Sequence, residues 1–192
     1  MKSNILPTYI NKISGLIIKI SLTFLLGLTS EVIISQNKIL NVYSDLIKSA
    51  NDSIKVRRYF SLADEYYEIK NYANSLKSLD TALIISEKVK RQDLTALCYF
   101  KYGNINSNLR EYVAASSYFE KAALIWQQLH NYKELARLYF NYGNNYYFLN
   151  DTKRAITYYK LVLNYVYKSK DSMLLADTYN NLGICYATGE NY

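Results

Sequence analysis

One interval governs this chain. Gly103, Gly143 and Gly183 stand 40 residues apart, and Ala63 holds the same place one interval earlier. Tyr59, Tyr99, Tyr139 and Tyr179 recur at the same spacing. Ala96-Leu-Cys-Tyr-Phe-Lys-Tyr-Gly103 reads against Ala136-Arg-Leu-Tyr-Phe-Asn-Tyr-Gly143 and Ala176-Asp-Thr-Tyr-Asn-Asn-Leu-Gly183. A fixed period of this size calls for a stack of like units, each covering the apolar face of its neighbour. Apolar residues recur at helical rather than alternating spacing, so the units are built of helices. Such a stack offers a binding surface more readily than a reaction centre.

The columns continue past each small residue. Ser75, Ala115 and Ala155 lie twelve positions on, Leu79, Phe119 and Tyr159 sixteen on, and Ala82, Ala122 and Val162 nineteen on. The spacing predicts first helices near 56–69, 94–108, 133–148 and 173–188, and second helices near 72–90, 112–130 and 152–169. Turns are expected at Lys70-Asn71-Tyr72, Arg110-Glu111-Tyr112 and Asn150-Asp151-Thr152, where Asn and Asp suit short connections. Units are expected to join at Arg91-Gln92-Asp93, Asn131-Tyr132 and Lys170-Asp171-Ser172. A glycine inside a helix costs about 1 kcal/mol against alanine. Its recurrence at one position implies a close helix contact there, since packed axes lie only ~8–10 Å apart. Tyr66, Tyr146 and Tyr186 are expected to fill the remaining space.

These columns are the ones by which the chain resembles tetratricopeptide repeat (TPR) proteins, over roughly residues 55–192. The resemblance implies an all-α, TPR-like helix–turn–helix solenoid of about three full repeats (56–91, 94–131, 133–171) and an incomplete fourth (173–192). The family's usual unit is about 34 residues, so the 40-residue period resembles its extended-repeat branch, in which the second helix is lengthened. The only proline is Pro7, in keeping with second helices that run on uninterrupted.

The two ends differ from the array. Residues 13–34 are mostly apolar behind Lys2 and Lys12, with Ile20–Leu28 as an apolar stretch and Ser35 as a small residue before Gln36. This reads as a secretory signal; a membrane anchor and a buried helix are the rival readings, with Lys19 weakening a span. Residues 1–36 are therefore expected to be a signal peptide or anchor, and the protein exported or membrane-tethered. Residues 37–54 fall in second-helix register and are expected to cap the array. At the far end, 173–188 form a first helix with no second helix after it, and Leu174, Leu175, Tyr179, Leu182 and Tyr186 are expected to keep an apolar face open. Two readings follow: the N-terminal part of a longer protein, or self-association through residues 173–192.

Composition excludes more than it assigns. The formal charge is +7, spread over many turns, and the tyrosines fall in packing columns, so nucleic-acid binding is not expected. Cys98 and Cys185 lie two units apart, too far for a disulfide, and are expected to be buried packing residues. His130 alone offers no zinc cluster; it is expected at an exposed helix end. No phosphate loop, nucleophile elbow or zinc-protease motif occurs, so neither catalysis nor a cofactor or metal is expected. Asn51-Asp52-Ser53 and Asn150-Asp151-Thr152 match the N-glycosylation pattern, as an Asn-rich chain does by chance.

The resemblance places a concave groove on the first helices, receiving a peptide or protein. Its groove positions fall on Arg57, Phe60, Asp64 and Tyr67; Phe100, Lys101, Asn104 and Asn108; Arg137, Phe140, Asn141, Asn144 and Tyr147; and Asn180 and Asn181. Asparagine amides can both donate to and accept from a peptide backbone. Phe60, Phe100 and Phe140 would anchor apolar groups, or else pack between helices, and Arg137 and Lys101 would attract acidic ones. The family's carboxylate clamp is matched at Asn104 and Asn141, but Phe100 and Asp177 stand where cations belong, so chaperone-tail binding is not expected. Extended arrays behind a signal also resemble the sensor halves of bacterial signalling proteins, which end in a helix-turn-helix or kinase segment. An interaction scaffold is the first reading and such a sensor the alternative.

Overall fold

The computed structural model describes residues 30–48 and 51–189. They form eight helices and no strand: α1 (Ser30–Lys48), α2 (Asp52–Glu68), α3 (Tyr72–Lys88), α4 (Gln92–Asn108), α5 (Tyr112–Gln128), α6 (Tyr132–Phe148), α7 (Thr152–Ser169) and α8 (Ser172–Gly189). The chain divides into two units at Ser78/Leu79, within α3. Most of the expected leader falls outside the described residues. Its last part does not, and α1 runs without a break through the expected boundary at 36 and 37. Among the described residues no helix is long and apolar enough to cross a membrane.

The repeat is two equal halves. Helices α2 to α6 are each 17 residues long, so the added length is shared between first and second helices, whereas the sequence reading put it in the second. The punctuation recurs every 20 residues. Lys70, Lys90, Arg110, His130, Asn150 and Lys170 all adopt left-handed backbone, with φ of 52° to 63°. After each of the first five, the next amide reaches back five residues: Asn71 to Tyr66, Arg91 to Ser86, Glu111 to Asn106, Asn131 to Trp126 and Asp151 to Tyr146. This closes the helix by satisfying carbonyls that have no partner within it.

The residue that follows then opens the next helix. Asn51 accepts from the Ser53 amide at 2.8 Å, Asn71 from Asn74 at 3.3 Å, Asn131 from Glu134 at 3.3 Å, Asp151 from Arg154 at 2.9 Å and Asp171 from Leu174 at 3.1 Å. Each satisfies one of the orphan donors of a helix start. Arg91 and Glu111 hold the same place without a side-chain cap.

In the N-terminal unit, α1 packs on α2. Lys38 pairs with Glu65 at 3.8 Å and Arg58 with Asp45 at 3.3 Å. Ser75, in the small-residue column of α3, is buried and donates to the Ala63 carbonyl of α2 at 2.7 Å.

In the C-terminal unit, α4 packs on α5 and α6 on α7, with α5 on α6 and α7 on α8 joining the pairs. The glycine column explains the pairing. A methyl group at Gly103 would collide with the Phe119 ring, and one at Gly143 with the Tyr159 ring. Each aromatic side chain of the second helix thus lies directly on the backbone of the first. Around these rings Ala96, Ala115, Ala122 and Ala136 are fully buried, and Trp126 is 1% exposed beside Phe100.

The seam of α6 and α7 carries a run of parallel tyrosine rings. Tyr158 stacks on Tyr142 at 4.6 Å and on Tyr146 at 5.2 Å, and Tyr165 on Tyr139 at 5.5 Å and on Tyr132 at 6.1 Å. A cation closes each end: Arg154 lies 4.4 Å over Tyr146 and Lys168 4.4 Å over Tyr132, a favourable approach to the negative face of a ring.

Cys98 and Cys185 are free and buried, as packing residues should be. Burial pushes the Cys98 thiol up to about 12. His130 is exposed at the end of α5.

Candidate functional site

The structure sorts the expected groove residues by exposure. In the N-terminal unit Arg57 and Asp64 are exposed and Tyr67 is half-buried, its ring edge-on to Tyr72 at 5.7 Å. Phe60 is only 6% exposed. In the C-terminal unit Phe100 is 5% exposed and lies between the rings of Phe119 and Trp126. These two phenylalanines are core residues rather than open anchors, because a large apolar side chain beside an alanine column is drawn into the helix contact. Phe140 is half-buried and packs on Tyr159 at 5.8 Å.

Arg137 is exposed but engaged. Its guanidinium reaches Glu134 at 3.3 Å and lies 5.9 Å over Phe100, so part of its pull on acidic groups is met within the chain. Lys101 is half-buried, and Asn108 and Asn180 are exposed.

The asparagines come together in a repeating way. Asn141 donates to Asn104 at 2.7 Å, and Asn181 donates to Asn144 at 3.1 Å, each bond spanning 37 residues and joining first helices of successive repeats. Four of the six expected groove asparagines are therefore engaged with one another. The second rung is larger, since the Tyr159 hydroxyl also donates to Asn144 Oδ1 at 2.7 Å and Asn181 Nδ2 reaches Tyr159 at 3.4 Å. Burial pushes the Tyr159 hydroxyl well above its ordinary value, so it stays protonated even in alkaline solution. With Oδ1 of Asn144 filled twice, Nδ2 of Asn144 and Oδ1 of Asn181 have no partner among the described residues.

Both asparagines line a cavity of about 210 Å³, together with Tyr147, Phe148, Tyr159 and Ile184. Three of the six are expected groove residues. Phe148, Tyr159 and Ile184 were not expected there. Tyr159 carried a signal, the hydroxyl that Phe119 lacks in the same column; Ile184 ends the column of Asn104 and Asn144, Phe148 stands in a mixed one, and neither gave any. The lining holds no charged side chain, so the cavity suits a neutral amide flanked by an apolar group rather than an acid. Among the described residues no cluster could hold a metal ion.

Comparison with known proteins accords with this construction. A tetratricopeptide repeat family model matches residues 101–168, which run from α4 to α7. These are tetratricopeptide repeats. The crystal structure of BtubC (BKLC) from P. vanneervenii superposes on this chain with a TM-score of 0.66 at 19% identity, over 94% of this chain and 84% of that one. At that identity the likeness is one of fold. No curated protein matches the chain.

Proposed function

We propose that this TPR chain is a protein-interaction scaffold whose C-terminal unit takes an extended peptide segment along the first helices α4, α6 and α8. Its TPR units support an interaction role in general. The observation that carries the finer reading is the cavity at Asn144 and Asn181, where one amide donor and one amide acceptor stand unpartnered beside Tyr147, Phe148 and Ile184. That pairing complements a peptide bond, and the apolar wall complements a neighbouring side chain. Both asparagines are half-buried, so a ligand that covers their free amide groups without pairing them would leave them unsatisfied, which is costly, and one that pairs with both is favoured.

The test is selection of peptides from a displayed random library by the full chain, followed by titration against Asn181→Ala and Lys121→Ala. Selected peptides are expected to bind Asn181→Ala about tenfold more weakly, roughly 1.4 kcal/mol, with melting unchanged. Equal binding to Asn181→Ala, together with loss at Lys121, which lies over Tyr99 and Tyr118 and does not line the cavity, would place the binding surface elsewhere.

A further inference from the structure

Positive charge gathers on one helix face in the fold. Residues 151–170 carry five cations, Lys153, Arg154, Lys160, Lys168 and Lys170, against the single carboxylate of Asp151. All five cations are exposed. At 3.6 residues per turn Lys153, Thr157, Lys160, Asn164, Tyr167 and Lys168 share one face of α7, and its three lysines span about 22 Å. Asp151 is taken up by Arg154. Lys160 instead lies 5.8 Å over the Tyr186 ring and Lys168 4.4 Å over that of Tyr132. A ring attracts an ammonium group without neutralising it, so the face keeps its charge while two of its cations are held in place.

The same face of α5 shows that this charge is particular to α7. Forty residues earlier the six places hold Val113, Ser117, Glu120, Leu124, Gln127 and Gln128. All six are exposed although α6, α7 and α8 follow them, so successive repeats leave this face open. On α5 it is partly apolar, with Val113 80% and Leu124 61% exposed. On α7 Lys153, Lys160 and Asn164 stand in place of Val113, Glu120 and Leu124, and no exposed residue of the helix is aliphatic.

We propose that the outer face of α7 docks an acidic helical segment of a partner protein, with carboxylates at seven- and eight-residue intervals opposite Lys153, Lys160 and Lys168. A single exposed ion pair contributes little, so recognition requires several in register, and a helix laid along α7 repeats its side chains at that spacing. Helices that lie in a membrane surface need an apolar face, which α7 does not expose. Single strands are held by stacking on open aromatic rings, and the one exposed ring here, Tyr167, is joined to Tyr179 through their hydroxyls at 2.8 Å. The tetratricopeptide units favour a protein. None of these lysines lines the asparagine cavity, and the proposal does not depend on peptide binding there.

The probe is a fluorescein-labelled, alanine-based helical peptide with glutamate pairs at seven- and eight-residue intervals, titrated by anisotropy against the full chain at low salt. Saturable binding is expected, weakened by added salt and lost for the same peptide with glutamine in place of glutamate. The chain carrying Lys153→Glu and Lys160→Glu is expected to bind at least tenfold more weakly and to melt with the unaltered chain. Lys90→Glu with Lys133→Glu, an equal change of charge away from α7, is expected to bind within about twofold, as is Asn181→Ala. Absence of saturable binding overturns the proposal, as does an equal loss in both charge variants, which would reduce the effect to net charge. Tighter binding of phosphatidylserine vesicles or of a DNA duplex, lost in Lys153→Glu with Lys160→Glu, overturns the choice of a protein partner.

Discussion

Glycine is used here for what it lacks. Phe119 and Tyr159 each sit where a side chain at Gly103 or Gly143 would begin, so Gly143→Leu is expected to destabilise the chain by about 1–3 kcal/mol through overpacking, read as a fall in denaturant midpoint. The same substitution at Gly183 is expected to leave the midpoint unchanged, although the sequence column treats the three glycines alike. The difference between equivalent residues is set by the neighbour. That also explains why Phe60 and Phe100 were assigned to the groove from sequence: family register gives a residue's place on a helix, but its exposure depends on what the adjoining helix brings against it. Tyr159 shows the converse, since its column is a packing column and only folding brings its hydroxyl to Asn144.

The helices themselves were legible to within a few residues, because amphipathic spacing and short polar connections leave little freedom. α2 is the exception that teaches most. Expected from 56, it starts at Asp52 because Asn51 caps it, and the same Asn-Asp-Ser triplet had been read as a chance glycosylation match. Most of the left-handed residues were not legible, since Lys and Arg, which hold four of the six places, carry no signal for positive φ. They hold it because every helix must end within a three-residue connection. The cap column yields a prediction at this scale. Glu111, which makes no side-chain cap, is expected to gain about 1 kcal/mol when replaced by Asn, and Asn131→Ala to lose a similar amount; paired urea melts of the two variants check the opposite signs.

The apolar columns of the C-terminal unit bury several tyrosine hydroxyls and a thiol along with them. Burial raises Tyr102, Tyr142 and Tyr159 above their ordinary 10.0, Tyr102 further by donating to Asp80, and raises Cys98 from 9.0 to about 12. The folded chain retains these protons where the unfolded chain releases them, so stability is full below about pH 9 and falls as pH rises through 10 and beyond. Tyrosinate absorbance is expected to appear together with loss of helicity. Titration of these tyrosines near 10 with helicity intact would mean that they are not buried as described.

Trp126, the single tryptophan among 22 tyrosines, lies at 1% exposure in the core of the α4–α8 stack. Excitation absorbed by the surrounding phenols has one nearby acceptor to drain to, so the native chain carries its own optical gauge. Tyrosine-sensitised indole emission should fade, and the residual band move to the red, as α5 is released from its neighbours.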